Sequence, residues 1–341
     1  MRGLLSDSHS GQEGAMRKVT EAAVVEYDAP GGPEVLRLVK RPLPEPAAGE
    51  VTVEVITMGL NHIDGFVRSG AEKEWDDPYP RRSGSCFAGT VIAAGPGTSG
   101  FPVGTDVVGH LRSGAHASHV TVAVDRLVRK PRAVTFETAG GLYLAGTTAL
   151  DILDELKIGA DDTVVISAAA GGVGSIEAQI AMHRGARVIG TCGERNFDYL
   201  RQLGVKPVRY GEGIVERIRA IAPGGVTAFI DNFGQDGHEI AEALGVPAGR
   251  FRSSADRRDR EVALLSDSPD AVAHGTAQLR KVVELAEKRV VSPLVSGFYP
   301  LADVAEAYDD LQKLHSRGKV VLATHPVNPR RIRKAREVIE S

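Results

Sequence analysis

The sequence predicts an α/β protein made of a β-rich first part and a second part with a doubly wound parallel sheet. The chain has 341 residues, which is more than one hydrophobic core usually serves, so two domains are expected. Residues 20–149 contain short β-branched runs separated by Pro and Gly, a pattern typical of an all-β or barrel-like module. From about Gly146 onward, strand and helix patterns alternate, and this alternation predicts a parallel sheet covered by helices.

The second part can be followed one element at a time. TTALDILDELKI has apolar residues at i, i+3 and i+4 spacing and predicts a helix. It is followed by the strand patterns TVVISA and ARVIGT, which are separated by the helical GSIEAQIAMHRG. HGTAQLRKVVELAEKRV predicts the last helix of this run. Beyond it, SPLVSGFYPLADVAEAYDDLQKL is expected to form a helix and GKVVLAT a strand, and both are expected to return to the first part.

Composition and charge exclude several classes of function. Lys and Arg number 41 against 44 Asp and Glu, which gives a net charge of -3 and no electrostatic reason to bind nucleic acid or an anionic membrane. No apolar run approaches the roughly 20 residues that span a bilayer. Cys86 and Cys192 have no Cys or His at ligand spacing, so neither a disulfide framework nor a clustered zinc site is expected. The expectation is a cytoplasmic protein that acts on a small molecule.

Both termini are expected to lie outside the folded core. Residues 1–17 are too poor in apolar residues for a secretory signal and predict a disordered tail, with Met16 as the expected natural start. The C-terminal NPRRIRKAREVIES predicts a charged surface helix. Its basic run is interpreted as a solvated helix face rather than a nucleic-acid patch.

A glycine-rich turn between a strand and a helix gives the sharpest local signal. TVVISAAAGGVGS matches the spacing G-x-G-x-x-G, with Ala169 in the first place and Gly171, Gly172 and Gly174 after it. Such a turn lets the backbone approach a diphosphate, which then lies on the N-terminus of the helix. We therefore expect dinucleotide binding at this turn, with Ala170 and Val173 as further contacts, and the alternative is a plain tight turn.

The end of the next strand, RVIGTCGERN, bears on which dinucleotide binds. NADH-preferring enzymes place a carboxylate there for the ribose 2′-hydroxyl, whereas Thr191 and Cys192 are neutral. Arg195 follows in the loop and suits a 2′-phosphate. NADPH is therefore the expected cofactor. Glu194 is the alternative signal, because an inward-pointing carboxylate would favour NADH.

Taken together, these motifs resemble those of the medium-chain dehydrogenase/reductases. GLNHIDGFVRSG, FAGTVIAAGPGTSGFPVGTDVVG, LAGTTA, AAGGVGS and RGKVVL occur in the family's order, and they look most like the zeta-crystallin-type quinone oxidoreductases and the enoyl reductases. The resemblance implies a GroES-like catalytic domain formed by residues 18–146 and 292–341, with a Rossmann NADP-binding domain at 147–291. It also implies an active site in the cleft between them and a homodimer formed through edges of the nucleotide domains.

The chain departs from the zinc-dependent relatives at each ligand position. Asn61, Ser85 and Leu144 stand where those enzymes carry Cys, His and Cys, so no metal is expected. His62 is interpreted as a packing or polar-contact residue rather than a ligand.

The resemblance also implies residues for catalysis. Asn61 stands where the family has a polar residue facing the cleft, although it could equally be a turn former. Many relatives carry a tyrosine where this chain has Phe66, which puts proton donation there in doubt. Tyr143 is a substitute candidate, with core packing as its alternative. Asp64 and Arg68, four apart on a predicted helix, are expected to form a structural ion pair.

Four further residues are implied as cofactor contacts, and each has a purely structural alternative. Thr148 matches a threonine near the nicotinamide, and Tyr210 matches a tyrosine beside the 2′-phosphate. Asn232 falls at a strand end over the cleft, and Lys319 matches a lysine close to the cofactor.

Three functions remain open at this point. The first is NADPH-dependent reduction of a quinone or an oxygen-conjugated double bond. The second is reduction of an enoyl thioester, and the third is NADPH binding with little catalysis. The charged segment 246–270 fits the family poorly; it either reshapes the substrate rim or is a variable surface loop.

Overall fold

The computed structural model describes residues 19–72, 75–313 and 317–325. The expected N-terminal tail with its start at Met16, and the expected helix in the last fourteen residues, lie outside these ranges. Among the described residues, no helix has both the length and the apolar character needed to cross a membrane.

The first part contains the antiparallel sheets that its β-branched runs predict. One sheet has three strands in the order β2-β1-β4, and the other has seven, with β3, β5, β6 and β8 side by side and β7 paired with β3. The elements are β1 Glu21–Tyr27, β2 Arg37–Pro42, β3 Glu50–Gly59, α1 His62–Ser69, β4 Arg81–Arg82, β5 Cys86–Ala94, β6 Asp106–His110, β7 His119–Ala123, β8 Leu127–Arg129 and α2 Phe136–Gly140.

The second part is a five-stranded parallel sheet in the order β11-β10-β9-β12-β13. Its elements are α3 Tyr143–Glu155, β9 Thr163–Ile166, α4 Gly172–His183, β10 Arg187–Cys192, α5 Phe197–Gln202, β11 Lys206–Arg209, α6 Ile214–Ile221, β12 Ala228–Ile230, α7 Gly237–Ala243, β13 Phe251–Arg252, α8 Ser254–Leu264 and α9 Pro269–Glu287. The predicted α/β class, a GroES-like part with a Rossmann-type part, is confirmed.

The strand order reverses at β9, and this places the ligand crevice. Val165 of β9 pairs with Ile189 of β10 on one side and with Phe229 of β12 on the other. In such sheets ligands bind beyond the carboxyl ends of the strands, at the point of reversal. The crevice therefore lies where β9 passes into α4.

The last described segment returns to the first part of the chain. It consists of β14 Val295–Pro300, α10 Val304–Gln312 and β15 Lys319–Ala323. β15 pairs parallel with β14 and antiparallel with β3. The expectation of a helix throughout SPLVSGFYPLADVAEAYDDLQKL was wrong in its first half, because the run of Val, Phe and Tyr before Pro300 adopts a strand. The predicted domain limits stay a prediction, and α3 runs across the one between residues 146 and 147.

The charged segment forms helix α8. A capping box fixes its start, because Ser253 Oγ accepts from Asp256 N at 3.2 Å and Asp256 Oδ2 accepts from Ser253 N at 2.7 Å. The helix packs against α3 of the second part and α1 of the first. It therefore lies across the cleft between the two parts.

Candidate active site

The glycine turn leads directly into α4 at the crevice. Gly171 caps the helix in an extended conformation. A Cβ on Gly174 would lie 2.7 Å from Ala168 O and 2.9 Å from Ala169 Cα, so only glycine allows this close packing of turn and helix. The N–H groups in the first turn of a helix have no partner within it, and the helix dipole adds partial positive charge there. Ala170 and Val173 belong to this same turn, which is therefore a candidate anion site.

One side of the crevice, formed by Gly193, Glu194, Tyr210 and Phe233, is accessible to solvent, and we call it the open half. Tyr210 and Phe233 stack with ring centroids 6.4 Å apart and an interplanar angle of 22°. They are 57% and 45% exposed, which is unusual for large aromatic side chains on a folded surface. Such a pair offers an apolar face to a planar ring.

Polar groups surround these rings at the ends of β10 and β11. Thr191 and Cys192 are buried. Glu194 forms an exposed ion pair with Arg209, with 3.4 Å between Oε1 and Nη1. That interaction directs the Glu194 carboxylate toward a cation of β11, so it is already engaged in this structure. Arg195 follows it in the same loop, as the sequence order requires.

Sequence reasoning missed Phe233 of the open half and Arg317 beside it. Phe233 was not among the predicted contacts, and its stacking on Tyr210 could not be inferred without the fold. Arg317 donates from Nε to Asn196 Oδ1 at 2.6 Å and from Nη2 to Arg195 O at 2.7 Å. Its position directly before Gly318 and Lys319, in the RGKVVL motif, was a usable signal.

The opposite side, formed by Asn61, Glu177, Arg257, Glu261 and Lys319, is covered by α8, and we call it the covered half. Lys319 Nζ donates to Asn61 Oδ1 at 2.7 Å and to Leu60 O at 2.8 Å. Burial lowers the pKa of Lys319. Because the lysine occupies Oδ1, the Asn61 amide is oriented with Nδ2 toward Cys86, 3.5 Å from its Sγ.

Glu177 and Asn232 meet at the carboxyl end of the sheet. Asn232 Nδ2 donates to Glu177 Oε2 at 2.6 Å. Burial raises the pKa of Glu177 to about 7, because no solvent reaches its carboxyl group. Glu177 Oε1 and Asn232 Oδ1 have no hydrogen-bond partner, and neither does Thr148 Oγ1. Buried polar atoms without partners are uncommon in a complete structure; together with the glycine turn, they fit a bound dinucleotide.

Tyr143 lies in the core rather than at the crevice. Its hydroxyl donates to Leu264 O at 2.8 Å, and its ring stacks on His110 with centroids 4.2 Å apart. Burial raises its pKa. This placement favours core packing, the alternative to proton donation.

The expected ion pair between Asp64 and Arg68 is absent between these two described residues. Asp64 Oδ2 instead accepts from Asn61 N at 2.9 Å and from Tyr308 Oη at 3.0 Å. Arg68 donates from Nε to Gly31 O at 3.3 Å and lies over the Tyr308 ring. The prediction was wrong because Asp64 caps the start of α1, and that turns its carboxylate away from the arginine.

The three zinc-ligand positions of the relatives hold side chains unsuited to zinc. Ser85 and Leu144 are 1% exposed, and Asn61 is engaged by Lys319. In the described part of the chain, no group of three or more His, Cys, Asp or Glu is arranged to hold a metal ion. His62 is nearby, but burial and the cations Arg257 and Lys319 lower its pKa to about 4.

Comparisons with known proteins agree with this geometry. A family model described as zinc-binding dehydrogenase matches residues 195–322, and one described as alcohol dehydrogenase GroES-like domain matches residues 47–132. The quinone oxidoreductase of Salmonella typhimurium is 35% identical over 327 residues, which cover 88% of this chain and 99% of the relative. Quinone oxidoreductase 1 of Escherichia coli is 30% identical over 327 residues, with coverage of 88% and 99%.

A solved structure extends the likeness to a cofactor complex. Escherichia coli quinone oxidoreductase complexed with NADPH matches with a TM-score of 0.75 at 27% identity, covering 88% of this chain and 99% of that one. The expected cofactor is thereby confirmed. The chain belongs to the medium-chain dehydrogenase/reductase superfamily, in its quinone oxidoreductase and enoyl reductase branch, and is an NADPH-dependent oxidoreductase that acts on a small-molecule substrate.

Proposed function

We propose that this oxidoreductase reduces a quinone or an oxygen-conjugated C=C bond, and that it does so without zinc. The observation that carries the proposal is the Asn61–Lys319 hydrogen bond of 2.7 Å at the place of the first zinc ligand of relatives. A lysine donating to an amide leaves no site for a cation. The similarity to two quinone oxidoreductases supports the substrate class.

The residues of the open half are proposed to bind the adenosine end of NADPH. Arg195 would bind the 2′-phosphate by charge-assisted hydrogen bonds, and Tyr210 would contact it with its hydroxyl and ring. Thr191, buried near the end of β10, would lie beneath the adenosine. The Glu194–Arg209 ion pair supports this assignment, because it keeps the carboxylate of Glu194 away from that phosphate.

The residues near α4 are proposed to bind the rest of the cofactor. The turn from Ala170 to Gly174 would hold the diphosphate, with Gly171, Gly172 and Val173 in contact with it. Thr148 and Asn232, each with a buried oxygen lacking a partner, would bind the ribose and nicotinamide side. NADPH supplies the hydride when bound.

Asn61 is proposed to stabilise the negative charge that develops on the substrate oxygen. Fixed donors do this without a metal ion, and Lys319 fixes the amide by occupying its oxygen. Water would supply the proton, because Phe66 has no hydroxyl and the Tyr143 hydroxyl is bound to Leu264 O.

A substrate screen tests the activity. NADPH oxidation by the purified full chain is followed with a simple quinone, a simple enone and an enoyl thioester. We expect turnover of the quinone or the enone. Turnover of the thioester alone would favour a dedicated enoyl reductase, and no turnover of any would favour an NADPH-binding protein with little catalysis.

Metal analysis of the same preparation tests the absence of zinc. We expect no stoichiometric zinc and no loss of activity with chelators. One tightly held zinc per chain would overturn the proposal.

We also propose a cytoplasmic homodimer. Among the described residues, the parallel sheet ends at β11 on one side and at the two-residue β13 on the other, and the resemblance to the family implies pairing through edges of the nucleotide domain. Light scattering at micromolar concentration would reject the dimer if it gave the mass of one chain.

A further inference from the structure

Helix α8 is held firmly on both sides of the cleft. On the nucleotide side, Arg260 of α8 binds the Glu155 carboxylate of α3, which also accepts from Arg252 Nη2 of β13 at 2.7 Å. On the catalytic side, the Arg258 guanidinium lies over the Phe66 ring of α1, 5.5 Å from its centroid. These contacts fix which face of α8 points into the cleft.

The inward face of α8 carries Arg257 and Glu261. Arg257 Nη1 donates to Glu261 Oε1 at 3.0 Å, and their side chains are 15% and 6% exposed. Arg257 lowers the pKa of both His62 and Glu177, so its charge acts on residues of α1 and α4. Arg257 Nε has no hydrogen-bond partner.

Lys319 brings a second positive charge to the same place. Its side chain lies over the glycine turn, since a Cβ on Gly172 would be 3.0 Å from Lys319 Cδ. Gly318 N donates to Ala170 O at 2.8 Å, which joins the two backbones. Lys319 and Glu261 act on each other electrostatically.

Helix α8 packs on α1, whose N-cap residue Asn61 binds Lys319, and Lys319 lies over the glycine turn. Arg257 and Lys319 thus bring two positive charges into the same cleft as the N-terminus of α4, where an anion is favoured. The anion found there is the carboxylate of Glu261. A diphosphate is more strongly charged than one carboxylate and accepts several hydrogen bonds at once, so it can replace Glu261 as the partner of Arg257.

We propose that Arg257 is a ligand of the cofactor diphosphate, and that Glu261 holds Arg257 until the cofactor enters. Glu261 thus competes with the diphosphate for the same guanidinium and repels it by charge. When the cofactor binds, the Arg257–Glu261 pair breaks. The outer contacts of α8 with Glu155 and Phe66 keep the helix in place. The inference depends on NADPH binding and not on which substrate is reduced.

The test is NADPH affinity, measured by titration calorimetry at fixed salt. Glu261→Gln should bind NADPH roughly tenfold more tightly than the wild type, and Arg257→Gln roughly tenfold more weakly, the scale of one hydrogen bond to a charged group. Asp259→Asn, at an exposed position of α8, and Arg280→Gln, at an exposed position of α9, make the same charge changes and should stay within about twofold of the wild type.

The sign of the Glu261→Gln effect separates this role from a structural one. A variant that merely loosened α8 would bind NADPH more weakly, whereas removal of a competitor strengthens binding. Unchanged or weaker binding by Glu261→Gln would overturn the inference while leaving the proposed reduction intact. No NADPH binding by the wild type or any variant would overturn both.

Discussion

The open half and the covered half of the crevice differ in how their side chains meet the cofactor. In the open half, Tyr210 and Phe233 are 57% and 45% exposed. In the covered half, Glu177 is 0% and Lys319 5% exposed, and charges from several elements are packed together. A dinucleotide can dock on the first half as it stands, whereas the second must exchange ion pairs to receive it.

The two halves differ in the free-energy cost of their cofactor-free state. The exposed rings of the open half keep no ionisable group out of water when the site is empty. The covered half keeps ionisable groups out of water, which is unfavourable unless each is paired. Mutations should therefore act on binding in the open half and on both binding and stability in the covered half.

The largest effect on stability and on NADPH binding is expected where the glycine turn contacts helix α4. Gly174→Val would push side-chain carbon into backbone, since even a Cβ lies 2.7 Å from Ala168 O. We expect a loss of more than about 3 kcal/mol in the free energy of unfolding, because backbone atoms cannot yield, together with loss of NADPH binding. Urea unfolding and calorimetry measure the two.

Gly100→Val is the matched control, since nothing lies within 4 Å of a Cβ at that position. It should change neither quantity appreciably. If both variants behaved alike, the close packing of turn and helix would not be what maintains the site.

The same contrast explains which parts of the site could be predicted from the sequence. Three local patterns were enough for three predictions. The glycine turn predicted a dinucleotide site, the strand–helix alternation predicted the parallel sheet, and the neutral Cys192 favoured NADPH. Helix α8 is also a local pattern, but its position over the cleft depends on packing against α1, which lies nearly 200 residues away in the chain. No spacing rule connects Arg257 with Lys319, so the covered half could not be predicted.

Failed expectations have the same origin. Asp64 and Arg68 have the right spacing for a pair, but Tyr308 and Gly31, both remote in sequence, provide other partners. The role of Tyr143 stays a prediction, but only the fold shows that its hydroxyl binds Leu264 O at the end of α8.

The second prediction concerns pH and the covered half. Burial raises the pKa of Glu177 from 4.5 to about 7, so the folded state holds this proton more tightly than the unfolded state. The contribution to stability is complete below about pH 4.5 and is lost as the pH rises through about 7. Arg257 and Glu261 face the same carboxyl group and act in opposite directions.

Glu177→Gln should remove this dependence. A pKa difference of this size corresponds to about 3 kcal/mol, so the variant should gain up to that amount over the wild type between pH 5 and pH 8. Urea unfolding at the two pH values measures it. An identical pH dependence in both proteins would mean that the folded-state pKa of Glu177 is close to its unfolded value, because Arg257 offsets the effect of burial.

The third prediction concerns the open half. Arg195→Ala should weaken NADPH binding by about 1.5–3 kcal/mol, the usual scale for a hydrogen bond to a charged group, or roughly ten- to hundredfold. NADH binding should barely change, because NADH lacks the 2′-phosphate. Arg201→Ala, which removes an exposed arginine paired with Asp198, is the control, and all titrations are made at one salt concentration. Equal weakening of both cofactors would show that Glu194, not Arg195, governs selectivity.

The smallest effect is expected for Tyr143→Phe, and it decides between the two roles considered for this residue. The substitution keeps the stacking on His110 and removes one hydrogen bond to Leu264 O at the end of α8. Leaving that buried carbonyl unpaired should cost about 1–2 kcal/mol of stability, visible in urea unfolding. The turnover rate at saturating quinone should stay within about threefold of the wild type. Loss of a proton donor would instead lower it by about a hundredfold or more. Such a fall without loss of stability would mean that the hydroxyl leaves Leu264 during catalysis, and the covered half would then open far more widely than exchange of one ion pair requires.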